Sequence, residues 1–270
     1  GISPERVSVT FPDTDVTPFD QSTSSSRTIF TMGSAARQAA GQIRQQLLEI
    51  GAHALEANVE DLELVNGNLQ VRGAPEKRRT ISQLFQAHYG AAVGSMAGSY
   101  DNQTRGGVDP KTGKGKASAF FFLSACAVEV EVDSETGKVT IEKIVSAVDA
   151  GKAVNPRQCH MQNEGSMIMS LGSALFEEMV FDNGQPINAT FLEYMPPSME
   201  DHPRQFQSVI VETPHPEGPF GAKGVGEAAL GPVEPAIGNA IANALNGLRI
   251  KDLPIRPDRI LKVVQERSSD

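Results

Sequence analysis

The stretch Gly218-Pro219-Phe220-Gly221-Ala222-Lys223-Gly224-Val225-Gly226-Glu227 constrains this chain more than any other. Four glycines and a proline precede a single carboxylate, Glu227. Such backbone loses much conformational freedom on ordering and suits a sharp turn or a close approach to the main chain. The residues after it, Glu234-Pro235 and then Ala236, Ile237, Ala240, Ile241, Ala244 and Leu245, recur at helical spacing, with proline expected in the first turn. Glu227 is thus held between a glycine loop and a helix start. Two readings stand at this point: a solvated turn, or an acid presented to a ligand.

The 270 residues are enough for one large or two modest domains, and two are expected. Hydrophobic residues make up 39% and charged residues 21%, as in ordinary globular proteins. No apolar run approaches the ~20 residues that cross a bilayer. A net charge of −9 disfavours a phosphate-binding nucleic-acid surface, and Lys77-Arg78-Arg79 is too short to reverse that. Neither nucleic acid nor membrane is an expected partner. The start, Gly1-Ile2-Ser3-Pro4-Glu5-Arg6-Val7, has no secretory pattern, so a cytoplasmic location is expected. Cys126 and Cys159 form no CxxC pair, and the five histidines lack metal-ligand spacing. No protein-held metal is expected.

Along the chain, Val7 to Phe11 reads as a strand. The hydroxyl-rich Gln21-Ser22-Thr23-Ser24-Ser25-Ser26-Arg27-Thr28 then feeds a long helix with Ala35, Ala36, Ala39, Ala40, Ile43, Leu47 and Ile50 on one face. Free amides and the positive end of the helix dipole at such a junction suit an anion, and Arg27 adds a charge; a flexible serine loop is the plainer alternative. Asn66-Gly67 between alternating strands marks a hairpin, and Thr80 with Gln83 marks a capping box. The loop from Gly94 to Gly115 is the expected domain boundary. Beyond it, Phe120 to Asp133 and Lys138 to Asp149 read as a strand pair around Gly137. Asn155-Pro156 opens a helix rich in small residues, and Phe206 to Glu212 reads as a strand. Without secretory context the triplets Asn102 to Thr104 and Asn188 to Thr190 carry no glycosylation signal. The mixture without a regular βαβ repeat is α+β.

Three groups of residues together carry a resemblance. They are Gly221 to Glu227; Asp149-Ala150-Gly151 with Asn155-Pro156 and Gln162-Asn163-Glu164-Gly165; and Ser22 to Thr28 before Gly33-Ser34-Ala35. In this order and at these separations the chain resembles the C-terminal half of the molybdenum-binding subunit of the xanthine dehydrogenase/aldehyde oxidase family, over essentially its whole length. The resemblance implies two molybdopterin-binding subdomains, 1–115 and 116–270, and a Mo-molybdopterin cofactor, expected as the cytosine dinucleotide. A pterin then carries the metal, in keeping with the lack of protein ligands. It further implies Glu227 as the catalytic base in hydroxylation of an N-heterocycle such as nicotinate, or of an aldehyde, with oxygen from water. Ser24, Ser25, Ser26, Arg27, Thr28, Gln162 and the backbone amides of Lys223, Gly224 and Val225 are the implied cofactor contacts.

The family's N-terminal half is absent from this sequence, so the resemblance implies a split enzyme, as in nicotinate dehydrogenase. A larger molybdopterin subunit is expected to complete the pocket for the small-molecule substrate, and subunits with [2Fe-2S] and FAD to remove electrons. Ser166 and Met169-Ser170 stand where the family more usually has Gly and Gln-Gly, which alters the helix contacts expected there. A non-catalytic cofactor-binding or assembly subunit is the alternative, against which Glu227 argues. A nucleotide phosphate loop fits poorly, because the order GxxxxGK[ST] is missing and the expected helix starts too late.

Overall fold

The computed structural model describes residues 1–20, 22–91, 94–100 and 107–268; the Asn102–Thr104 triplet lies outside them. The chain forms two compact units. One comprises Gly1–Ser22 and Thr31–Thr104, the other Thr23–Phe30 and Arg105–Asp270. The division falls near residue 104 rather than 115, and the hydroxyl-rich segment 23–30 belongs with the second unit instead of the first.

In the first unit, Val7, Val9 and Phe11 are 62%, 76% and 85% exposed and form no strand, contrary to the sequence expectation. Alternation alone does not make a ladder when no neighbouring strand takes up the backbone groups. The long helix α1 (Thr28–Leu55) contributes Leu48, Ile50 and Leu55 to a core with Leu62, Leu69 and Leu84. Strands β1 (Leu62–Val65), β2 (Asn68–Val71) and β3 (Ala74–Thr80) form an antiparallel sheet in that order. Asn66 and Gly67 turn the first hairpin with φ of 48° and 74°, the left-handed pair that matches strand twist. Thr80 and Gln83 close the expected capping box on α2 (Ile81–Tyr89).

The second unit opens with the small hairpin β4 (Gly107–Val108) and β5 (Gly115–Lys116). Strand β6 (Ser124–Val132) pairs antiparallel with β7 (Val139–Asp149). Phe120 to Leu123 stay outside the strand. A register shift opposite Glu129 and Val130 inserts one residue into β7, so the buried phase moves from Ile141 to Ile144, Ser146 and Val148. Helix α3 (Pro156–Leu175) follows, with Asn155 as its N-cap, whose Oδ1 accepts from the Gln158 amide at 3.2 Å. The hairpin of β8 (Phe181–Asp182) and β9 (Gln185–Pro186) and the short α4 (Phe191–Tyr194) lead to β10 (Gln205–Val211), parallel to β7.

Helix α5 begins at Leu230 (Leu230–Ala244), so Pro235 lies inside it and not in its first turn as expected. Pro235 removes a bond to the carbonyl of Gly231, and Gly231 is exposed and can be solvated. Helix α6 (Pro257–Ser268) closes the chain. Met167, Leu171 and Ala174 of α3, Val233, Ile237 and Ile241 of α5, and Ile260 of α6 pack with Ile141 and Ile144 into one core. Full burial of each large apolar side chain contributes about 1.5–3 kcal/mol. This layered α+β core is the platform on which the glycine loop sits.

Candidate functional site

Parallel pairing of β7 with β10 puts their C-terminal ends together, with Asp149 opposite Val211. Asp149 is buried there, and one carboxylate oxygen accepts from the amides of Gly151 at 2.9 Å and Thr213 at 3.0 Å. The other accepts from the Lys223 ammonium at 2.8 Å. Burial pushes the Asp149 carboxyl up, but the Lys223 ammonium and the two amides outweigh it and hold it below its ordinary value. The loop returns along the end of β7 as a short bridge between Gly151 and Ala222. Gly151 has φ +66°, and a Cβ on it would stand 2.2 Å from the Gly221 carbonyl oxygen, so no other residue fits without a shift.

Lys223 is fully engaged in this tether. Its amide donates to Ala150 O at 2.9 Å and its side chain to Asp149. The Lys223 N–H, an expected cofactor contact, is thus bonded within the protein. The next amides differ, because those of Gly224 and Val225 donate to no protein acceptor among the described residues.

The hydroxyl-rich segment meets the loop here. Ser25 and Ser26 both adopt left-handed backbone, with φ of 51° and 53°, immediately before α1. A Cβ on Gly224 would stand 1.8 Å from the Ser26 carbonyl oxygen, and one on Gly226 2.9 Å from Ser26 Oγ. The two glycines let the segments touch, and Ser26 Oγ accepts from the Glu227 amide at 3.3 Å. Phe30 stacks on Phe120 with ring centroids 4.6 Å apart and meets the edge of His215 at 5.2 Å, which anchors the segment within the second unit. Ser24 and Ser25 are exposed, and Arg27 and Thr28 are half-buried; Ser24 O accepts from the Arg27 amide at 3.1 Å, and Thr28 Oγ1 donates to Thr23 Oγ1 at 3.3 Å. Glu227 is exposed and forms no ion pair among the described residues.

Helix α3 supports the same loop from behind. Ser166 Oγ lies 3.2 Å from Gly226 O and 2.9 Å from Gln162 O, and Ser170 Oγ donates to Leu230 O at 3.2 Å. Ser173 bonds the Glu234 carboxylate. Asn163 is buried, donating to Ser146 O at 3.1 Å and Ser208 Oγ at 2.9 Å and accepting from Ser146 Oγ at 3.0 Å. Gln162 is exposed one helical turn before Ser166. The structure therefore gathers Ser26, Ser166 and Gly224 to Glu227 in one place. In the sequence Ser166 and Ser170 stand out only as departures from the family pattern and Ser173 only as a small residue; their spacing along one helical face is the signal for their shared role. Among the described residues no group of three His, Cys, Asp or Glu side chains could hold a metal ion.

The sequence profile of the molybdopterin cofactor-binding domain matches residues 1–203. The chain belongs to that family. The matched region contains Ser24 to Thr28 and Gln162 and ends before the Glu227 loop. Longer relatives cover the loop as well. The gamma subunit of the 6-hydroxypseudooxynicotine dehydrogenase complex of Paenarthrobacter nicotinovorans is 30% identical over 98% of this chain and 33% of its own length. The nicotine 6-hydroxylase large subunit of the same organism is 31% identical over 98% of this chain and 32% of its own length. Among solved structures, quinoline 2-oxidoreductase from Pseudomonas putida 86 superposes with a TM-score of 0.74, at 26% identity, covering 90% of this chain and 31% of that one. The chain of this family member thus spans about a third of the length of the relatives it matches.

Proposed function

We propose that this chain is the Glu227-bearing part of a cytoplasmic molybdenum hydroxylase that inserts water-derived oxygen into an N-heterocycle. The observation that carries the reading is the meeting of Ser26 with Gly224 to Glu227 beside an exposed carboxylate. Nicotine and quinoline in the relatives' names are N-heterocycles, which favours that substrate class over aldehydes.

A phosphorylated pterin needs N–H and O–H donors, and the donor set fits it. Among the described residues the amides of buried Gly224 and half-buried Val225 donate to no protein acceptor. Ser26 Oγ accepts from Glu227 and keeps its own proton to give. Ser24, Ser25, Arg27, Thr28 and the start of α1 extend the anion-favouring surface, and exposed Gln162 offers an amide. When bound, the pterin-held molybdenum supplies the oxygen-transfer chemistry and takes up two electrons. Overall, a ring C–H and one water give a ring C–OH, two electrons and two protons. Glu227 accepts one of those protons, and the glycines around it keep the approach open. General-base action of this kind contributes about 10²–10⁴-fold.

The proposal extends to the cytosine dinucleotide form of the pterin and to partner subunits, namely a larger molybdopterin subunit and iron–sulfur and FAD subunits that take the electrons. The test is metal and nucleotide analysis of the purified complex, with turnover of Glu227→Gln. The expected result is bound molybdenum with a cytosine nucleotide, and a variant that retains the metal but turns over about 10²–10⁴-fold more slowly. A complex without molybdenum sinks the reading, and undiminished turnover in the variant turns it into a non-catalytic cofactor-binding subunit.

A further inference from the structure

One peptide group is held from both sides in this structure. The peptide joining Gly226 to Glu227 directs its carbonyl to Ser166 Oγ at 3.2 Å and its N–H to Ser26 Oγ at 3.3 Å. The two serines come from different segments, α3 and the left-handed turn before α1, and both lie in the second unit. A peptide plane fixed at both its C=O and its N–H cannot rotate freely, and its orientation sets the direction in which the Glu227 side chain leaves the backbone. The neighbouring residues impose little restraint of their own, since Gly224 and Gly226 lack side chains and the Gly224 and Val225 amides have no protein partner among the described residues.

We propose that Ser166 and Ser26 form a two-hydroxyl clamp on the Gly226–Glu227 peptide, and that Ser166 is a positioning residue for Glu227. The inference rests on Glu227 being the base. Ser166 is 2% exposed, so its hydroxyl meets protein groups only and acts through the peptide. No other donor to Gly226 O is present among the described residues, so the loss of Ser166 leaves that carbonyl without its partner. A competing role exists within α3, because the same hydroxyl reaches Gln162 O at 2.9 Å, the back-bond common for serine in helices. If that bond were its whole purpose, Glu227 would not respond to its removal. The clamp also gives Ser26 a task besides cofactor contact.

The experiment uses Ser166→Ala, Ser26→Ala and the double variant in the purified complex. It reads kcat, KM, molybdenum content and hydrogen exchange of the Glu227 amide. Loss of one hydrogen bond should speed exchange of that amide about 5–10-fold in either single variant. In Ser166→Ala kcat should fall about 10-fold or more, with KM and molybdenum content unchanged, because small misplacements of a reacting group are expensive in rate. The double variant should fall short of the product of the singles, since a peptide already free to rotate has little more to lose. Unchanged exchange and kcat in Ser166→Ala overturn the proposal. Should Ser166→Ala fail to fold, the half-buried Ser26→Ala decides through exchange alone: faster exchange supports the clamp and unchanged exchange overturns it. Failure of the base assignment is seen separately, as undiminished turnover in Glu227→Gln, and the exchange readout does not depend on it.

Discussion

The glycine loop is fastened in different ways at its two ends. At the entry, Gly221 O accepts amides from Lys152 and His215, both at 2.9 Å, Lys223 N bonds Ala150 O, and the Lys223 ammonium is buried against Asp149. At the exit, two neutral hydroxyls hold one peptide, while the amides just before it have no protein acceptor among the described residues. The charged end is built to be closed. The neutral end depends on fewer and weaker contacts, and on the proposed reading its spare donors serve a ligand.

The largest effect should come from breaking the charged end. Lys223→Met removes one partner of a pair whose side chains are each 9% exposed, and leaves Asp149 charged and buried. Such losses are about 3–5 kcal/mol, measurable by urea unfolding of the complex. The sign with pH follows from the lowered carboxyl of Asp149. A group whose folded value is depressed adds stability that is full above its unfolded value, about 3.9, and disappears as pH falls through the folded one. The gap between wild type and Lys223→Met should therefore be steady near neutrality and shrink below about pH 4. Asp109, Asp133, Glu212 and Glu217 are lowered too, by turn amides or lysine partners, so both proteins lose stability in that range. Only the difference between them reports on the tether. A gap that persists at pH 2 would mean that the lysine acts by packing and not by charge.

A smaller effect on stability, with a larger share in function, should follow from Gly224→Ala at the neutral end. Its Cβ would stand 1.8 Å from a backbone oxygen, Ser26 O, and neither partner is a flexible side-chain tip. Overpacking of this kind is worth about 1–3 kcal/mol. Here the two segments must separate, so the Ser26 bond to Glu227 should lengthen and turnover should drop beyond what the stability change explains. Equal turnover in Gly224→Ala and wild type would show that the close approach is dispensable.

How far these ends could be read in the sequence differs as well. The hairpin at Asn66-Gly67, the Thr80 capping box and the Asn155 cap are local signals, satisfied within a few residues, and all three are present as expected. The alternation at Val7 to Phe11 forms no strand because pairing is non-local and alternation cannot supply a neighbour. Pro235 signals a first turn in sequence, yet α5 starts five residues earlier and tolerates it where the orphaned carbonyl is exposed. At the site, the glycine run showed that something approaches closely, but the approaching group, Ser26, lies about two hundred residues away in the chain. The Asp149–Lys223 pair spans 74 residues, and nothing local to either one reveals it.

The smallest change is a control one helical turn along α3. Ser170 is fully buried and donates to Leu230 O at 3.2 Å, on the same face as Ser166. Leu230 begins α5, so its carbonyl also has an intrahelical acceptor role to fill four residues on, at Glu234. Ser170→Ala therefore removes one of two bonds to that oxygen, whereas Ser166→Ala removes the sole protein donor to Gly226 O among the described residues. A destabilisation of about 0.5–1.5 kcal/mol is expected, with exchange at Glu227 and kcat close to wild type. If Ser170→Ala instead slowed turnover as much as Ser166→Ala at equal stability, the two serines would be acting through the packing of α3 as a whole. The distinction between them depends on which peptide each hydroxyl holds, and only the Gly226–Glu227 peptide leads to the proposed base.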